Sequence, residues 1–129
     1  MREPVWLETE TVLRIHLDQL AEHGGGLGVR DTGLLDSAMA RARNQHAYGE
    51  TDIVVLATAY ASGIVRNHPF IDGNKRTGFV GAALFLRINR IDIVATEVDV
   101  VMNMLGLAAG ELSDAAFTTW LRANVEPLA

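Results

Sequence analysis

Residues 52–88 read DIVVLATAYASGIVRNHPFIDGNKRTGFVGAALFLRI, two apolar stretches joined by a polar turn, and their reading decides the architecture. Ile53, Leu56, Ala57, Tyr60, Ala61 and Ile64 recur at steps of three and four, with Val54, Val55 and Val65 widening the stripe. That spacing predicts a helix buried on much of its surface. It is expected to end near His68, because the ring of Pro69 crowds the residue before it out of the right-handed helical region. From Asn74 a second helix carries Phe79, Val80, Ala83, Leu84 and Leu86, apolar nearly all round beyond its first turn. It is expected to be the central, core-filling helix.

Outward from this pair the pattern stays helical. Val12, Ile15 and Gln19 alternate with Leu13, Leu17 and Leu20, predicting a helix over about residues 9–23 that the run Gly24-Gly25-Gly26 terminates. Asp31 offers an N-cap to a helix with Leu34, Leu35, Ala38, Met39 and Ala42 on one face, ending near Gln45. Ile91 to Val94 is β-branched but brief, enough for an extended connection and not for a sheet. Thr96 with Asp99 starts a helix bearing Val100, Met104, Leu105 and Leu107 that stops at Gly110. Ser113 caps a last helix, with Phe117, Trp120 and Leu121 on one face and Pro127 preventing its continuation. The expected fold is all-α, a compact bundle of about six helices in a single domain spanning 1–129, with the polar turn between helices three and four as its active loop.

Composition narrows the function classes. The 129 residues are 49% apolar, enough to fill one core. No basic segment followed by an apolar run opens the chain, and no apolar stretch approaches the roughly 20 residues of a membrane span. Cysteine is absent, which excludes disulfides and thiolate chemistry and fits a cytoplasmic location. A net charge of −5 argues against direct binding of nucleic acid.

Against that acidic background the turn His68-Pro69-Phe70-Ile71-Asp72-Gly73-Asn74-Lys75-Arg76 is anomalous. Two cations in the first turn of a helix face the positive end of its dipole, which costs about 0.3–1 kcal/mol each when exposed. A phosphate resting on the helix start reverses that sign, because backbone N–H groups, Lys75 and Arg76 then all point at negative charge. Gly73 allows close backbone approach, and Asn74 can cap the helix while offering an amide to an oxygen. Asp72 is a hard carboxylate suited to one ligand of a Mg²⁺ that keeps most of its waters. Histidine is the one residue type here whose unperturbed pKa lies near neutrality, so His68 is suited to take a proton from an attacking hydroxyl. Phe70 pins the loop to the core.

Taken singly, each residue has a blander reading: a histidine after a helix caps it, an Asp-Gly pair makes a turn, and adjacent cations form a solvated face. Their co-occurrence within nine residues is what points to chemistry. Elsewhere, His16, His23 and His46 lack metal-ligand spacing and read as surface residues. Gly24 to Gly26 read as a helix terminator only, and Trp6 and Trp120 as core or interface anchors.

The turn resembles the signature of the Fic/Doc family, in which a histidine, a phenylalanine, an acidic residue, a small residue, an asparagine and a basic pair follow in this order. Here they are His68, Phe70, Asp72, Gly73, Asn74, Lys75 and Arg76. AMP-transferring Fic members carry a second glycine after the asparagine and the Doc (death-on-curing) branch a lysine, so Lys75 places the resemblance with Doc-type toxins. Gly33 to Ala38, Ala42-Arg43, Tyr48, Thr77 and Leu84 to Arg87 are similar to Doc-type sequence too, and the likeness covers nearly the whole chain.

The resemblance implies His68 as general base, Asp72 as Mg²⁺ ligand, and Gly73, Asn74, Lys75 and Arg76 as holders of the phosphates of ATP, with Arg66 as a further phosphate candidate. It implies a toxin that moves the terminal phosphate to a threonine or serine of a protein, elongation factor Tu by likeness to Doc, and so blocks translation. Lysine in place of glycine fills space that an AMP-transferring site uses for the far phosphates, which favours a reversed nucleotide. Val80, one turn beyond Arg76, departs from the polar group such a site would welcome. The inhibitory helix of some Fic proteins, a serine or threonine with a glutamate four residues on, is missing. Control by a separate Phd-like antitoxin, folding a disordered end into an apolar groove, is expected instead. AMP transfer and a non-enzymatic phosphate- or partner-binding module are the competing readings.

Overall fold

In the computed structural model residues 3–129 are described, so the first two residues of the expected 1–129 domain lie outside the description. The elements run α1 (Thr9–His23), α2 (Thr32–Ala47), α3 (Ile53–Asn67), α4 (Asn74–Ile88), β1 (Ile91–Ile93), α5 (Glu97–Ala108), α6 (Asp114–Ala123) and β2 (Val125–Pro127). Their starts follow from local chemistry. Asp31, Asp52, Thr96 and Ser113 each accept a hydrogen bond from a first-turn amide of the helix they precede, as N-cap oxygens do. No helix among the described residues is long and apolar enough to cross a membrane.

The centre is α3, not α4. Every residue from Leu56 to Val65 is buried, and α2, α4, α5 and α6 all pack against this helix. Small residues make the close approaches possible. A β-carbon on Gly63 would lie 3.1 Å from the Ala38 carbonyl oxygen of α2, and one on Gly78 of α4 would lie 3.1 Å from Val65 Cγ1. Helix α4 turns Gly78, Gly81, Ala82, Phe85 and Leu86 inward, while Phe79, Val80, Ala83 and Leu84 are only half-buried. One side of α4 is therefore left available to a cavity, which the all-round apolar reading of its sequence had concealed.

Aromatic packing ties α3 and α4 to the segment that precedes α1. Phe85 is fully buried, with its ring centroid 4.9 Å from Tyr60 and 6.1 Å from Trp6, and the Tyr60 hydroxyl accepts the Leu7 N–H at 3.3 Å. Burial pushes the Tyr60 phenol above its usual range. Leu17, expected in the apolar stripe of α1, is 52% exposed, and His16 is buried where a surface residue was expected.

The segment after α4 corrects a second expectation. Ile91–Ile93 does form a sheet, pairing antiparallel with Val125–Pro127 in the register Ile91 to Pro127, Asp92 to Glu126 and Ile93 to Val125. The partner strand lies beyond α5 and α6, so no local pattern announces it. Pro127 is tolerable because a two-stranded sheet has only edges. The sheet closes the chain's end against α4 and fixes where α5 begins.

Replacing Phe85 with alanine should cost about 3–5 kcal/mol, since a buried aromatic is lost from a site with little freedom to collapse. Chemical denaturation compared with the unaltered chain measures it.

Candidate active site

Helix α3 ends at Asn67, and His68 swings into the left-handed region at φ 51° and ψ 54°. The proline rule does remove His68 from the right-handed helix, but into this region and not into extended backbone. A non-glycine residue there is strained by about 1–2 kcal/mol. Arg30 offsets the strain: its Nε donates to the His68 carbonyl at 2.8 Å and its second guanidine nitrogen to the Asn67 carbonyl at 3.0 Å. The backbone around Arg30 also grips the turn. Arg30 N–H and Asp31 N–H both donate to the Pro69 carbonyl, at 2.6 and 3.1 Å, and Ile71 N–H donates to Gly28 O at 3.1 Å.

The next layer is built from Phe70, Asn74 and His16. The Asn74 carboxamide accepts the Phe70 N–H at 3.0 Å and donates to the Phe70 carbonyl at 2.9 Å. Gly73, not Asn74, is the N-cap of α4, and Asn74 is the first helical residue with its side chain buried. The expectation that this amide caps the helix and meets a phosphate oxygen is thus corrected: it clamps the loop. Phe70 is fully buried as expected, and its ring lies flat on His16, centroids 3.8 Å apart at 9°. The Asp72 carbonyl lies 2.8 Å from His16 Nε2.

Asp72 faces the other way. Its Oδ1 accepts the Gly73 N–H at 2.9 Å and its Oδ2 the Gly26 N–H at 3.4 Å. The Gly73 amide above all, then the Gly26 amide, with smaller help from Arg76 and Lys75, hold the carboxyl below its ordinary 3.8. The glycine run is therefore more than a terminator. Gly24 does end α1 at φ 77°, but a β-carbon on Gly25 would lie 2.9 Å from Asp72 Oδ2.

Helix α4 starts without an acceptor. Its cap makes no side-chain hydrogen bond, unlike the capped starts of α2, α3, α5 and α6, and its first turn holds no acid. Among the described residues the amides of Asn74, Lys75 and Arg76 donate to no protein oxygen, and neither Lys75 nor Arg76 enters an ion pair. An open cavity of about 790 Å³ lies there, and His68, Asp72, Gly73, Asn74, Lys75 and Arg76 all line it. Its other wall is apolar, from Val80, Ala83, Ile93, Val100, Val101 and Met104.

Arg66 does not join this cluster. Its guanidinium pairs with Asp114 at 3.1 Å and donates to the Leu112 carbonyl at 3.0 Å, on the side of α3 that faces α6. A phosphate role for Arg66 is inconsistent with that placement. The residues the sequence reading passed over are His16, Gly25, Gly26, Arg30 and His23, the last of which lines the cavity. One signal was present: His16 stands four residues from Val12 and from Leu20 on the buried stripe of α1.

No cluster of three or more metal-ligating side chains occurs among the described residues. A single exposed carboxylate with lone pairs to spare suits a Mg²⁺ held mainly by water and by ligand phosphates, and does not suit a protein-caged metal. Asp72 fits that donor set.

The comparisons bear on the same residues. The Fic/DOC family model matches residues 6–86, the whole turn included. The chain is 30% identical over 117 residues to a protein named Protein kinase doc from Escherichia phage P1, covering 90% of this chain and 92% of that one. It is 44% identical over 75 residues to a protein named Toxin Doc from Mycolicibacterium smegmatis, 56% of this chain and 57% of that one.

Two measurements check the geometry. Asn74→Asp keeps the acceptor for the Phe70 N–H but loses the donor to its carbonyl, so stability should fall by about 1–3 kcal/mol in denaturant melts. An NMR titration should find the Asp72 carboxyl ionising below 3.8. Because the folded value is depressed, the stability it contributes is complete above the unfolded value and is lost only as pH falls through the folded one. Neutral-pH stability should therefore show no dependence on this group's titration.

Proposed function

The chain belongs to the Fic/Doc family, and on that premise we propose that it is a toxin of a toxin-antitoxin pair acting as a Mg²⁺-dependent phosphotransferase. It moves the terminal phosphate of ATP to a threonine or serine hydroxyl of a protein, with elongation factor Tu the expected target. One observation carries this reading: the start of α4 keeps its amides and two unpaired cations in the same cavity as an exposed imidazole and a carboxylate. The names of its relatives, a protein kinase and a toxin, support it.

The chain's own groups divide the work. The amides of Asn74, Lys75 and Arg76, with both side-chain cations, hold the phosphates in the cavity and neutralise charge that spreads over the transferred group. His68 accepts the proton of the attacking hydroxyl as the new oxygen–phosphorus bond forms and the bond between the terminal phosphorus and the departing ADP breaks. The left-handed turn at His68, fixed by Arg30, brings the imidazole into the lining of the cavity. Asp72 would hold Mg²⁺, which when bound supplies Lewis-acid stabilisation of the phosphate oxygens. Lys75 stands where an AMP-transferring enzyme has glycine, which supports phosphate over AMP as the group moved.

The antitoxin is the expected regulator. The outer face of α5 exposes Val98, Val101, Met102 and Leu105, at 71, 50, 64 and 47%, beside the apolar wall of the cavity. Such a stripe fits an amphipathic helix folding from a disordered antitoxin end.

Incubation with elongation factor Tu, Mg²⁺ and ATP labelled on either the terminal or the first phosphate is the test. Label arriving from the terminal phosphate upholds the reading; label from the first alone replaces it with AMP transfer; nucleotide uptake without turnover replaces it with a binding module. His68→Ala should reduce transfer by about 10²–10⁴-fold while leaving the melting transition in place.

A further inference from the structure

His16 is the one buried histidine, only 3% exposed, and packing alone does not explain it. A leucine would fill the same space without the cost of removing a polar ring from water. What the imidazole adds is a directed donor. A carbonyl can only accept, so the 2.8 Å contact with Asp72 O requires Nε2 to carry the hydrogen and fixes the tautomer. Flat stacking on Phe70 at 3.8 Å then fixes the plane of the ring. The ring also packs against the turn itself: a β-carbon on Gly73 would meet it in ordinary contact, 3.5 Å from His16 Cδ2 and 3.7 Å from Nε2.

The bond falls on a mechanically weak link. The peptide joining Asp72 to Gly73 precedes a glycine at φ 78°, and such peptides flip readily between turn types. Both ends of this peptide are tied: its carbonyl to His16, and its N–H to Asp72 Oδ1 at 2.9 Å. A flip would break both bonds, release the carboxylate and misdirect the first amides of α4.

We propose that His16 is a positioning residue that, through the Asp72–Gly73 peptide, locks the carboxylate and the start of α4 in the orientation the reaction needs. The assignment deepens the phosphotransferase reading and rests on it for its catalytic consequence. It makes α1 a working part of the site, although His16 does not line the cavity.

Two substitutions separate donor from packing. His16→Phe keeps a flat ring against Phe70 but removes the donor; His16→Gln places an amide nitrogen where Nε2 stood but removes the ring. Donation predicts that the Phe variant loses kcat on the order of 10- to 100-fold, as small misplacements do. The KM for ATP should change far less, because the cations that hold it remain, and the Gln variant should recover most of kcat. A Phe variant as active as the unaltered chain, or a Gln variant worse than the Phe variant, overturns the proposal.

Two further readouts do not depend on turnover, and the first needs no variant at all. In the unaltered protein, nitrogen NMR of the imidazole should show the Nε2–H tautomer with a slowly exchanging proton, and an Nδ1–H tautomer overturns the assignment. The amide resonances of Gly73 and Gly26 should shift in the Phe variant and return in the Gln variant, with or without Mg²⁺. If the unaltered chain transfers no phosphate, the proposed function falls by itself; shifted and restored amides then still uphold the lock on Asp72, and unmoved amides sink it.

Discussion

The paired hydrogen bonds between the Asn74 carboxamide and the backbone of Phe70 hold the turn in one piece, and the site depends on them. They close a small ring across the start of α4, so that the chain entering the helix and the helix itself move together. Phe70 carries that ring into the core and His16 locks the far side of the turn. Remove the clamp and the Phe70 N–H and carbonyl are buried without partners, each at a cost of about 1–3 kcal/mol. Spending the asparagine in this way leaves the backbone amides of α4, and not its side chain, as the groups free to meet a ligand.

The turn opposes folding in several small ways. Two cations at a positive helix end, a left-handed histidine and a helix start with no capping oxygen together cost a few kcal/mol on ordinary magnitudes. The burial of α3 outweighs them. Leu56, Tyr60, Ile64 and Phe85 are each fully buried, and a side chain of that size contributes about 1.5–3 kcal/mol when removed from water. The most deeply buried helix lies directly before this strained turn, and that proximity lets the core impose a geometry that local preferences would not choose.

The same division explains what could be read from the sequence. Helices and most of their caps were readable because their causes lie within four residues: Asp31, Thr96 and Ser113 stand where capping chemistry places them. The cavity residues His68, Asp72, Lys75 and Arg76 were readable because one short turn holds them all. What escaped depends on distant partners. Arg66 looked like a phosphate ligand until Asp114 took its charge, and Ile91–Ile93 looked unpaired until Val125–Pro127 came back to it. His16 and Gly26 serve Asp72 from α1 and the loop after it, far upstream, and no spacing rule connects them. Asn74 was misassigned for a related reason, since its residue type fits a cap, a ligand and a clamp equally well.

The cavity also has two characters, and their order along it carries a mechanical consequence. Lys75 and Arg76 sit at the end built by the turn, whereas Val100, Val101 and Met104 of α5 line the apolar end with Asp92 and Glu97 nearby. In a chain of net charge −5 the long-range field opposes an anionic nucleotide, so its capture must rely on contacts within roughly the 8 Å over which charges act in physiological salt. Those contacts exist only at the cationic end. A protein partner seated on α5 would cover the apolar end, where Val100, Val101 and Met104 line the cavity. The bonds that hold the turn, from Asn74, His16 and Arg30, lie apart from that surface, so covering it requires no rearrangement of the turn.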